Sequence, residues 1–209
     1  MEKIAVDAMG GDFAPLEIVL GSIQAVREFK IPVVLVGDKE QILTILKNNH
    51  EENNPLIEIH HASEVIEMGE HPGLAYRKKK DASVSVGARL VRAKECGALV
   101  APGSTGAAVT AGLLGIGRIK GIERPAILTP IPNEKGRYTY LIDSGASAQP
   151  KVETYVQNAI LGYIYASKVA GIKNPRIGLL NIGEEDTKGS PLVTCLLYTS
   201  PSPRDGATS

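Results

Sequence analysis

Two observations predict a three-layer α/β/α fold with a mostly parallel sheet. The first is a set of seven short runs, most of them apolar on consecutive residues, as strands buried on both faces require. The second is helical periodicity between several of those runs. Strand and helix in alternation make right-handed crossovers that lay helices on both faces of one sheet.

The first run, KIAVDA at 3–8, leads into Pro15 to Phe29, where Ile18, Ser22-Ile23 and Val26 share a side and Pro15 suits a first helical turn. PVVLVG at 32–37 is followed by Lys39 to Lys47, with Ile42, Ile45 and Leu46 at helical spacing. IEIHHA at 57–62 and ALVAP at 98–102 flank a helical pattern from Ala82 to Glu95 that carries Val84, Ala88 and Val91. AILTPI at 126–131 and YLIDSG at 140–145 are the next two strands expected. Lys151 to Ala170 is the clearest helix, with Val152, Tyr155, Ala159, Tyr163 and Ala166 on one side and Gly171 as its stop. RIGLLNIG at 176–183 reads as the seventh strand.

A chain of 209 residues, 43% of them apolar, is long enough for one good-sized core. Lys+Arg and Asp+Glu are equal at 23 each, so no overall positive field holds a polyanion, and nucleic acid is not an expected partner. Cys96 and Cys195 are too few for a disulfide framework, and MEKIAVDAMGGD is no signal peptide, so the cytoplasm is the expected compartment. No apolar run approaches the roughly 18 residues of a spanning helix. From about Cys195 onward, Pro201, Pro203 and the Ser/Thr content break the alternation, and the tail resembles translated adapter sequence. The expected organisation is one α/β/α domain over 1–194, cut near 194, and a non-native, disordered tail over 195–209.

In an open parallel sheet, ligands bind beyond the carboxyl ends of the strands, where helix N-termini present free N–H groups. The unusual residues fall at those ends. Asp7, Gly10, Gly11 and Asp12 follow the first run, His60-His61 the third, PGSTGA the fourth, DSGAS the sixth and NIGEEDTKG the seventh. In PGSTGA, Gly103 and Gly106 permit backbone conformations that a Cβ obstructs, and successive amides at a helix start form an anion-binding concavity to which Ser104 and Thr105 add hydroxyls. A tight strand-to-helix turn whose Ser or Thr caps the helix explains the same residues; both readings stand at this level. G-x-G-x-x-G and G-x-x-x-x-G-K-[ST] are absent, which disfavours a dehydrogenase or P-loop enzyme.

A doubly charged anion needs cations. YRKKKD supplies Arg77, Lys78, Lys79 and Lys80, read as a solvated helix start, and Lys188 follows NIGEED; Arg77 and Lys188 are the preferred candidates. His61 is either a general acid-base group or a strand-end His satisfying local backbone. Cys96 reads as a small buried apolar residue. No Ser-His-Asp order or G-x-S-x-G elbow offers an acyl-enzyme nucleophile, and the four His show no metal-ligand spacing.

Seven motifs in order and spacing, KIAVDAMGGDFAP, HASEVIEM, YRKKKDAS, GSTGA, RPAILTPIP, LIDSGAS and NPRIGLLNIGEEDTKG, resemble the bacterial phosphate acyltransferase family of phospholipid synthesis over about residues 1–194. Two positions depart from the family pattern: Ser104 stands where Asn is common in Gly-Asn-Thr-Gly, and Ser147 where Asn is common in Gly-Ala-Asn. The resemblance implies a three-layer fold related to the isocitrate and isopropylmalate dehydrogenases, in a chain that continues well past this one. It also implies a cytoplasmic homodimer, peripherally associated with the membrane, that transfers a long-chain acyl group from acyl-carrier protein to inorganic phosphate; no cofactor or metal is expected.

Phosphate is itself a nucleophile, so the expected mechanism is positioning plus oxyanion stabilisation. The residues expected to hold phosphate are Gly103, Ser104, Thr105, Gly106, Lys188 and Arg77. Asn181 and the Gly145-Ala146 amides are expected at the oxyanion, and His61 at the leaving thiolate. Asp143, with Asp7 and Asp12, is expected to orient donors; Gly10, Gly11, Gly183 and Glu184 are expected to support the site. The rival expectations are a short-chain phosphotransacetylase that uses coenzyme A and a regulatory protein that binds an acyl chain or phosphate without turnover.

Overall fold

Val33-Val34-Leu35-Val36 is apolar at every position, which is stable only where both faces of a strand are covered. In the computed structural model, which describes residues 2–147 and 150–180, this segment is the fully buried strand β2 (Val33–Gly37). It lies in a four-stranded parallel sheet with β1 (Ile4–Asp7), β3 (Ile57–His61) and β4 (Ala98–Val100), in the order β3-β2-β1-β4. Ile4 is in register with both Val33 and Ala98.

Alternate residues of these strands face opposite layers. Val6, Val33 and Leu35 pack with Val19, Ile23 and Val26 of α1 (Leu16–Phe29) and Ile42 and Leu46 of α2 (Lys39–Asn48). Ala5, Val34 and Val36 pack with Val86 and Leu90 of α4 (Ser83–Arg92) and with Cys96. Helices on both faces of a parallel sheet make the three-layer architecture that the sequence predicts. Cys96 is buried, and that burial pushes its thiol up, in keeping with an apolar role.

A second cluster joins α3 (Pro72–Lys78) to α4 and α5 (Thr105–Thr110), which runs on into a π-helical turn, Ala111–Ile116. Ala75, Tyr76, Val84, Ala88, Ala107 and Ala111 meet there. YRKKKD therefore ends a helix rather than starting one, as suits cations beside free carbonyls at a helix C-terminus.

The chain divides into two compact units between Lys120 and Gly121. In the second, β5 (Leu128–Pro132) and β6 (Tyr138–Ile142) pair antiparallel, Leu128 opposite Ile142, so the fifth and sixth runs are not strands of the parallel sheet. The reason is the link: residues 133–137 are far too few for a crossover, which needs a dozen or so, but suit a hairpin. Asn133 Oδ1 accepts from the amides of Lys135 and Arg137 to close it. Helix α6 (Val152–Lys168) follows, with Tyr165 set edge-on to Tyr140. Residues 176–180 of the expected seventh strand form no regular element, since no described strand pairs with their backbone; residues 181–183 of that run lie outside the described residues.

Candidate active site

The order β3-β2-β1-β4 has a topological consequence. From β1 the chain moves outward through β2 to β3, then returns to the other side of β1 as β4, so β1 and β4 flank the switch point of the sheet. Beyond the carboxyl ends of such a strand pair the loops diverge and leave a crevice. The two glycine turns of the sequence meet at this place. A Cβ on Gly10 would stand 2.7 Å from Asp7 Oδ2 and 2.9 Å from the Gly103 nitrogen, and a Cβ on Gly103 would stand 3.0 Å from the Gly10 Cα. Gly11 has φ +108°, a conformation that side chains rarely adopt. Backbone touches backbone, and only glycine permits it.

Ser104 is the N-cap of α5, its Oγ accepting from the Ala107 amide at 3.5 Å. The capping reading of PGSTG is thus correct for the Ser104 side chain. The same geometry leaves the amides of Thr105 and Gly106 with no backbone partner among the described residues, at the positive end of the helix. Thr105 is exposed, and the Pro72 ring of α3 occupies the space that a Gly106 side chain would need.

Asp7 ends β1 beneath these turns and is only 4% exposed. Its Oδ1 accepts from the Met9 amide at 3.2 Å. Burial pushes its carboxyl above the ordinary aspartate value, partly offset by hydrogen bonds from the Ser83 hydroxyl and the Met9 and Gly10 amides. Ser83, first residue of α4 and fully buried, escaped the sequence reading. Its signal was a serine at a helix start, which reads as a cap until the aspartate above it is placed.

In the second unit, Asp143 follows β6 and accepts from three amides: Ile127 at 2.9 Å, Ala146 at 3.0 Å and Ser147 at 2.9 Å. Its carboxylate is thereby committed to backbone amides of its own unit. The consequence corrects another expectation: the Ala146 amide is already bound to a carboxylate and has no free hydrogen for an oxyanion.

Residues 2–199 match the fatty acid synthesis protein family. The chain belongs to that family. It is 51% identical to the phosphate acyltransferase of Pelotomaculum thermopropionicum over 94% of this chain and 56% of that protein. It is 52% identical to the phosphate acyltransferase of Desulfitobacterium hafniense strain Y51, over 92% and 56%. With that of Aquifex aeolicus the identity is 49%, over 92% and 57%. The chain therefore spans just over half the length of these relatives, which carry the name that its collinear motifs suggest.

In this fatty acid synthesis family member the strand order sets His61 apart from the crevice. His61 ends β3, the strand farthest from β4, about 14 Å away at three strand spacings. Its Nδ1 accepts from the Lys39 amide at 3.3 Å, which serves the start of α2. Strand order, invisible in the sequence, separates it from the glycine turns. Asp12 is exposed beside Gly11, and Arg77 is exposed in the last turn of α3. Asn181, Gly183, Glu184 and Lys188 lie outside the described residues. Among the described residues no group of three or more His, Cys, Asp or Glu could hold a metal ion.

Proposed function

We propose that this family member carries the phosphate-handling site of an enzyme that transfers a long-chain acyl group from acyl-carrier protein to inorganic phosphate. The observation that carries the reading is the meeting of Gly10 and Gly103 at the β1/β4 switch point, beside the unpartnered Thr105 and Gly106 amides. The names of the relatives support the same chemistry.

In this reading phosphate sits against the start of α5, held by the Thr105 and Gly106 amides and the Thr105 hydroxyl. One phosphate oxygen attacks the thioester carbonyl, a C–O bond forms, the C–S bond breaks, and the departing thiolate takes a proton from water. The Asp7 carboxylate is engaged by the Met9 amide and serves to position the loop that carries Gly10. Asn181 and Lys188 complete the proposal, as oxyanion donor and phosphate cation. The reading also takes in a cytoplasmic homodimer in peripheral contact with the membrane; no described helix is long and apolar enough to cross one.

The test completes the chain with the remaining part of the P. thermopropionicum relative and measures thiol release from palmitoyl acyl-carrier protein with and without phosphate. Release should require phosphate, and Thr105→Val should raise KM for phosphate about tenfold, the loss of one hydrogen bond to a charged group. Release without phosphate, or an unchanged phosphate KM, would overturn the assignment. Faster turnover of acetyl-coenzyme A would give the short-chain reading instead.

A further inference from the structure

The motif YRKKKD places exposed cations at the end of α3. Arg77, Lys78 and Lys80 are exposed at the end of α3, and Arg89 and Arg92 are exposed on α4. Arg89 joins the two elements by donating to the Lys80 carbonyl, and the fields of Arg89 and Arg92 both reach the Tyr76 phenol of α3. Among the described residues none of the five forms an ion pair.

Neighbouring carboxylates are each hydrogen-bonded to other groups. Asp81 Oδ2 accepts from the amide and hydroxyl of Ser63, Glu64 Oε2 accepts from the Asp81 amide, and Glu70 holds Lys79. Five exposed cations outnumber the carboxylates whose fields reach them, Asp81 at Arg89 and Glu70 at Lys78, and in a chain with zero formal net charge they make a local field that selects an acidic partner.

We infer that this surface docks the strongly acidic carrier protein that presents the acyl thioester on a flexible prosthetic arm. The inference rests on the acyl-transfer reading above. Pro72, the first residue of α3, packs on Gly106, and seven helical residues span only about 10 Å, so the cations stand one short helix from the anion-binding turn. A carrier protein docked at Arg77 and Lys78 would present its arm at about that distance from the turn. Leu74, 65% exposed on the same helix, supplies an apolar contact within the charged rim. An anionic membrane fits less well. An interfacial helix needs a free apolar face, whereas α3 has seven residues and buries Ala75 and Tyr76 in the protein.

The test is Lys78→Glu/Lys80→Glu/Arg92→Glu, three side chains with no bond in the structure, so folding is not at stake. Fluorescence anisotropy of labelled holo-acyl-carrier protein against the chain should show Kd at least tenfold higher for the variant, with wild-type binding weakening as salt rises. In the completed enzyme, KM for palmitoyl acyl-carrier protein should rise likewise, while KM for palmitoyl-pantetheine stays unchanged. Unchanged carrier Kd, no carrier binding by the wild type, or a variant that loses only binding to phosphatidylglycerol vesicles would overturn the assignment. Charge-dependent carrier binding without phosphate-dependent thiol release would retire the enzymatic reading and leave the surface standing. Thiol release with an unchanged carrier KM would do the reverse.

Discussion

The two units solve the burial problem to different extents. In the first, β2 is buried at every residue and both faces of the parallel sheet carry a helix layer. Among the described residues of the second, a two-stranded hairpin and one helix share little interior: α6 buries only Thr154, Asn158 and Ala166 of its 17 residues and exposes Val156, Ile160, Tyr163 and Ile164. The two strands and one helix described there enclose too little volume for a core by themselves. Stability should therefore be concentrated in residues 1–120, with the glycine turns resting on the firm part.

Hydrogen exchange gives the largest contrast. Amides of β1 and β2 should exchange only through global unfolding, at least about a thousandfold more slowly than those of β5, β6 and α6, which open locally. Equal protection would erase the distinction. Substitutions sharpen it. Leu35→Ala, at a site with no exposure, should cost about 2–5 kcal/mol in urea unfolding, whereas Ile160→Ala, at a site 52% exposed, should stay within about 1 kcal/mol. Gly10→Ala forces a carbon against the Gly103 backbone and should cost about 1–3 kcal/mol, while Gly112→Ala, which meets nothing within 4 Å, should be close to neutral or stabilising.

The smallest effect is a pH slope. Folding raises Asp7 above its ordinary value of 3.8, so between that value and its raised one the folded chain holds more proton than the unfolded chain. Its contribution is most favourable below pH 3.8 and falls as pH rises through the raised value. Asp7→Asn should flatten that slope, seen as a smaller drop in the urea midpoint between pH 4 and pH 7. An unchanged slope would mean that Asp7 ionises as freely when folded as when unfolded.

The first unit was largely legible in the sequence because its signals are local. Consecutive apolar residues at 33–36 and the periodicity of Ile18, Ile23 and Val26 each specify an element, and Gly103 to Gly106 mark a strand-to-helix turn. What escaped depends on pairing or brevity. The hairpin was mistaken for two sheet strands although its five-residue link excludes a crossover. Helix α3 begins Pro72-Gly73, a loop signal, and its seven residues are too short to show a period. His61 looked close to the glycine turns only because strand order is not written in local pattern. The same holds for Ser83, whose meaning comes from Asp7, 76 positions earlier in the chain.

The seat of Pro72 against Gly106 ties two positions into one heritable unit. A methyl group at 106 would lie 2.5 Å from the proline Cγ, so that site can acquire a side chain only after the ring at 72 has gone. Either order of change passes through an intermediate that is overfilled or hollow, and sequence drift at one residue is held in check by the other.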